Sequence, residues 1–114
     1  MLVDIIGDDV VHDGDGTTPY YSPPFGRGGE AAVFSIEVTH VDGSPTMVVG
    51  VDHRNVDESN WSSAGTFSDI TAASVATKEL SGLKEELRFA FTFTVGVGGD
   101  FMHVLIPAPM WLPY

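Results

Sequence analysis

The sequence predicts an all-β domain: an antiparallel β-sandwich, jelly-roll-like, of six to eight strands. Three observations carry this. Residues 86–97, ELRFAFTFTVGV, alternate strictly. Leu87, Phe89, Phe91, Phe93, Val95 and Val97 fall on one face, and Glu86, Arg88, Ala90, Thr92, Thr94 and Gly96 on the other. A strand with one wet face belongs to an antiparallel sheet packed on one side only. Shorter alternating runs recur along the chain, separated by Gly, Pro, Asp and Ser. No stretch reads as a helix. Residues 72–83 come nearest, but their Ser, Thr and Val content and Gly82 argue against one.

Taken in order, residues 2–6 are a short apolar run ending at Gly7 and read as a first strand. Residues 8–16 are acidic and Gly-rich and read as a loop. Residues 17–29 hold Pro19, Pro23, Pro24, Gly26, Gly28 and Gly29. Proline lacks an amide donor, so this is expected to be an extended connection rather than a strand, with Tyr20, Tyr21 and Phe25 laid along a surface. Residues 32–41 alternate, with Phe34, Ile36, Val38 and His40 on one face. Asp42-Gly43-Ser44-Pro45 is turn chemistry. Residues 46–54 follow with Met47, Val49 and Val51 inward, and the two runs read as a hairpin. Residues 55–63 are polar and irregular around Trp61. Residues 66–70 and 74–79 are short strands, and Ser81-Gly82 is a turn. After the central run, Gly96, Gly98, Gly99 and Asp100 turn the chain. Residues 101–106 make the last strand, whose weak alternation is expected of one covered on both faces. Pro107, Pro109 and Pro113 keep the tail extended. The whole is one domain over 1–114, with 1–29 an extended N-terminal arm and 107–114 a C-terminal tail.

Composition narrows function. There are 16 acidic residues against 5 basic ones, a formal charge of −11. The bases, Arg27, Arg54, Lys78, Lys84 and Arg88, do not cluster. Phosphate backbones require clustered Lys and Arg, so nucleic acid is not an expected partner. An acidic surface also repels anionic membranes. The chain has no cysteine, hence no thiolate nucleophile or thiolate metal site. Its first residues lack the basic and long apolar regions of a signal peptide.

Chemistry-bearing residues are few. Asp13 and Asp15, in the acidic stretch from Asp8 to Asp15, alternate as calcium ligands do, but a twelfth-position Glu is missing, since Pro24 stands there. A solvated loop is the expectation. Asp52-His53-Arg54, with Asp57 and Glu58, has no matching nucleophile and is expected to be a hydrogen-bonded strand end. His40 and His103, both within apolar alternation, lack the His-x-His pattern of cupins and are expected to be satisfied buried or half-buried histidines. No catalytic, cofactor or metal residues are expected. Tyr20, Tyr21, Phe25, Trp61, Trp111 and Tyr114 lie in loops or tails and are the candidate interface anchors.

At Trp61-Ser-Ser-Ala-Gly-Thr-Phe-Ser-Asp-Ile-Thr, at Leu80-Ser-Gly-Leu-Lys-Glu-Glu-Leu-Arg-Phe-Ala-Phe-Thr-Phe and at Pro109-Met-Trp-Leu-Pro-Tyr, the chain resembles small structural proteins encoded among tailed-bacteriophage virion genes. The resemblance spans roughly residues 30–114. It implies a virion component assembled in the host cytoplasm: a capsid decoration protein or a neck or tail piece, oligomeric, contacting other virion proteins, and without a cofactor. A carbohydrate-binding module using the loop aromatics is the alternative.

Overall fold

The computed structural model describes residues 4–12, 19–94 and 101–112, with the backbone alone for residues 4–12 and 101. Ten strands are described: β1 Asp4–His12, β2 Tyr20–Tyr21, β3 Phe25–Gly26, β4 Ala31–Asp42, β5 Thr46–Arg54, β6 Ser62–Thr66, β7 Ser74–Leu80, β8 Glu86–Thr94, β9 Phe101–Pro107 and β10 Met110–Leu112. No helix occurs among the described residues. All pairings are antiparallel and make two five-stranded sheets. The first runs β1-β9-β4, with β10 and β7 also on β4. The second runs β2-β8-β5-β6, with β3 also on β8.

The protein is a β-sandwich. If β2 and β3 are taken as one interrupted strand and β10 as an addition, eight strands remain. Their sheet orders are first-eighth-third-sixth and second-seventh-fourth-fifth. This is the jelly-roll connectivity. The strand count exceeds the expected six to eight because β2, β3 and β10 are two- or three-residue segments.

The core lies between the sheets where the alternation places it. Leu87, Phe89, Phe91 and Phe93 of β8, Met47, Val49 and Val51 of β5, and Phe34, Ile36 and Val38 of β4 are all buried. Phe34 meets Phe89 across the sandwich edge to face, with centroids 5.9 Å apart. Burying one such ring contributes about 1.5–3 kcal/mol.

Several local expectations are corrected. The two runs joined at Asp42-Gly43-Ser44-Pro45 are not a hairpin. β4 pairs with β7, β9 and β10, while β5 pairs with β6 and β8. The turn, with Gly43 at φ 83°, carries the chain from one sheet to the other. A hairpin and such an arch share the same alternation and turn residues. The difference is that β8 claims all nine residues of β5, from Thr46↔Thr94 to Arg54↔Glu86. The strand expected at 66–70 is displaced to 62–66. Phe67 and Ile70 follow it as buried residues tied to Val49 and Met47 by backbone bonds of 2.8 and 2.9 Å. β9 alternates cleanly, with Met102, Val104 and Ile106 buried. Leu105 on its outer face masks that period in the sequence.

Residues 4–12 form a single nine-residue strand against β9, so the acidic stretch through His12 is strand rather than loop. Asp13 and Asp15 lie outside the described residues, as do Val95, Val97, the turn at 96–100 and Tyr114. The segment expected to be an unpaired extended connection adds to β8. Tyr21 faces Ala90 and Phe25 faces Leu87, four residues advancing against three. Pro23 and Pro24 occupy that slip, where missing amide donors cost nothing. The tail likewise pairs with β4 through Met110↔Val33, Trp111↔Ala32 and Leu112↔Ala31.

Candidate interaction surface

The outer face of the second sheet gathers a charged and aromatic patch. β5 and β8 set Asp52 opposite Arg88 and Arg54 opposite Glu86. Both are ion pairs, with Nε to carboxylate distances of 3.1 and 2.8 Å. Opposite charges directly across a ladder stabilise by about 0.2–1 kcal/mol each. The signs alternate along each strand, so each charge also has an opposite neighbour on its own strand.

Two rings close over the guanidinium groups. Arg88 lies 3.6 Å from the Tyr21 ring centroid and 4.5 Å from that of Trp61. Arg54 lies 4.3 Å from the Trp61 centroid. Trp61 is placed by β6, whose pairing begins with Ser62 opposite His53. Each cation–ring contact contributes about 0.5–1 kcal/mol at such a half-exposed site. Tyr, Trp and Arg are the side chains that dominate protein interfaces, and here they share one half-exposed cluster.

A second cluster flanks this patch at the strand end. His53 Nδ1 accepts a bond from the Lys84 amide at 3.3 Å. Burial, and then the Lys84 charge, push the His53 pKa down, against the opposing pull of Glu58 and Asp52. Glu58 accepts from the Asn55 amide at 2.8 Å and pairs with Lys84 at 3.2 Å. The Asn55 hydrogen bond, then that of Lys84, lower its pKa. Asp52 and His53 are consecutive in a strand and therefore point to opposite faces. Asp52 turns to Arg88 rather than orienting the imidazole, so the pair is no dyad. It is the hydrogen-bonded strand end expected from the sequence.

The six candidate anchors separate. Tyr21, 43% exposed, and half-buried Trp61 come together through Arg88. Tyr20 is 61% exposed at the adjacent sheet edge, 6.3 Å from the Phe91 ring. Phe25 packs inward on Phe89 at 5.8 Å, and Trp111 on Phe34 at 6.3 Å. Both pack against the core of the domain. Tyr114 lies outside the described residues. Sequence reasoning missed Arg88 and Arg54 as ring partners. Their places on the polar faces of the two longest alternating runs of the second sheet were legible, but the register joining them was not. It also missed Val75, 65% exposed on the edge strand β7.

His40 is on the other sheet and is exposed, not buried. The ladder between β4 and β9 has a bulge between Val38 and His40. The extra residue, Thr39, reverses the alternation, so Val41 faces the core and His40 the outside. There His40 stands directly opposite His103.

No family model matches the chain, and no curated protein matches it.

Proposed function

We propose that the protein is a non-enzymatic structural component of a phage virion, a capsid decoration protein or a neck or tail piece that assembles with itself and other virion proteins. The observation that carries this reading is the jelly-roll connectivity, an architecture that recurs in capsid proteins. It is the same reading that the sequence resemblance of residues 61–71, 80–93 and 109–114 to tailed-phage structural proteins implies.

Edge strand β7 supports assembly. It pairs with β4 on one side, and Ser74, Val75, Thr77, Lys78 and Glu79 are exposed. Edges of this kind accept an added strand. The patch of Tyr21, Arg88 and Trp61 offers a second contact. Residues 20–26 and 110–112, by contrast, pair within their own sheets, so the contacts are assigned to the sandwich faces and edge.

Mass spectrometry of purified particles from the producing phage tests the reading. The protein is expected at stoichiometric abundance, with cross-links from the β7 edge to a second copy or to another virion protein. Its absence from particles overturns the proposal. Carbohydrate binding is the second reading, favoured by the exposed Tyr20 and Tyr21 on a fold shared with lectins. These two rings are consecutive in a strand and so point to opposite faces, which gives no single stacking platform. A glycan screen is expected to be blank.

A further inference from the structure

We propose that His40 and His103 form a two-imidazole site for a divalent transition-metal ion, Zn²⁺, Ni²⁺ or Cu²⁺, on the outer face of β4 and β9. The site depends on one backbone irregularity. Uninterrupted alternation from Phe34 through Ile36 and Val38 would carry His40 into the core. The bulge at Thr39 turns it outward and sets it in register with His103. The Thr39 hydroxyl donates to the His103 carbonyl at 3.2 Å, fixing the bulged residue to the strand that bears the second histidine. Bulges that re-aim one side chain recur beside functional sites.

Directly opposite residues of an antiparallel pair have Cβ atoms about 4.5–5.5 Å apart. Two imidazoles on such positions can converge on one ion at metal–nitrogen distances of about 2.0–2.1 Å. Imidazole is the ligand type that Zn²⁺, Cu²⁺ and Ni²⁺ favour. His40 is exposed and His103 half-buried, so an ion reaches them from solvent, and water completes its coordination. Glu37 and Asp42 occupy register positions on either side of the pair, opposite Leu105 and Phe101. With the formal charge of −11, they make this face attractive to a cation. Only the burial expected of His40 is corrected, since it is exposed while His103 is half-buried as expected, and the proposed site goes beyond the expectation of no metal ligands. Among the described residues no group of three or more His, Asp or Glu converges, so the described residues supply two ligands rather than a closed structural cage.

The test is a Zn²⁺ titration of the full chain followed by the imidazole NMR signals. The His40 and His103 signals are expected to move together and to saturate at one ion per chain, with His53 on the opposite sheet unmoved. His40→Ala and His103→Ala are each expected to weaken Zn²⁺ binding at least about ten-fold, because chelation needs both ligands. Both residues lie on the outer face, and the wild-type titration reads the site without any variant. Signals that stay still or saturate separately overturn the site, as do variants that bind Zn²⁺ like the wild type.

Discussion

Ser22 and Phe89 are joined twice. The Ser22 amide donates to the Phe89 carbonyl at 3.0 Å, and the Phe89 amide donates to the Ser22 hydroxyl at 2.8 Å. Ser22 is a buried polar residue in a proline-rich segment, between Tyr21 and the paired prolines that break its ladder. The hydroxyl thus continues the ladder beside the prolines and docks residues 19–26 on β8.

Ser22→Ala is expected to leave the Phe89 amide buried without an acceptor. Such a group costs about 1–3 kcal/mol. Urea unfolding should show that loss, and hydrogen exchange should show faster exchange at Phe89. A loss below about 0.5 kcal/mol would mean that water replaces the hydroxyl and that the segment is not docked through it.

Phe91→Ala is expected to cost about 3–5 kcal/mol, as for a large aromatic removed from a closed core. Phe91 is buried on the middle strand of its sheet and stacks with Phe89 at 6.1 Å. A loss under about 1 kcal/mol in denaturant unfolding would place the wrong face inside.

Gly28→Ala is expected to destabilise by about 1–3 kcal/mol through overpacking. A Cβ at Gly28 would stand 2.6 Å from Trp111 Cδ1. Removing residues 107–114 is expected to lower the melting temperature rather than only block assembly, because it deletes β10 and the Trp111 ring from Phe34. A truncated chain that melts like the full one would show that the tail leaves the core intact.

Acidification is expected to destabilise in two stages. His53 has a folded pKa below 6.5, so the unfolded chain binds the extra proton as the pH falls through about 6.5, and stability drops from there. Protonation also removes the Nδ1 acceptor from the Lys84 amide. Glu58 has a folded pKa below 4.5, and its contribution is present above that value and lost as the pH falls through the folded one. Melting curves from neutral pH to well below pH 4.5 read both stages. His53→Gln should flatten the first stage. An unchanged slope would remove His53 from the balance.

The face of each strand was legible where the alternation was unbroken. Leu87 to Phe93, Phe34 to Val38 and Met47 to Val51 are buried as their period requires. His40 was misread because a single extra residue, Thr39, inverts parity and leaves no mark in composition. The partnership of strands was not legible either. Asp42 to Pro45 is the same turn whether the next strand pairs beside the last or crosses the core. The surface patch depends on that partnership. Arg88 meets Asp52 and Trp61 only after β8, β5 and β6 are laid side by side, and no local pattern encodes a contact 36 residues away.

The jelly-roll order also governs when the fold can exist at all. β1 has its partner in β9, and β4 pairs with β9 and β10, so the first sheet is stitched together by residues far downstream of β1. On a ribosome adding about 5–20 residues per second, β1 waits about 5–20 s for residues 101–107. Val38 and Val41 of β4, which face Val104 and Met102 of β9, likewise wait for that strand. Contacts this remote in sequence close slowly even in a complete chain. The nascent protein is therefore most open to aggregation and to chaperone capture before β9 emerges.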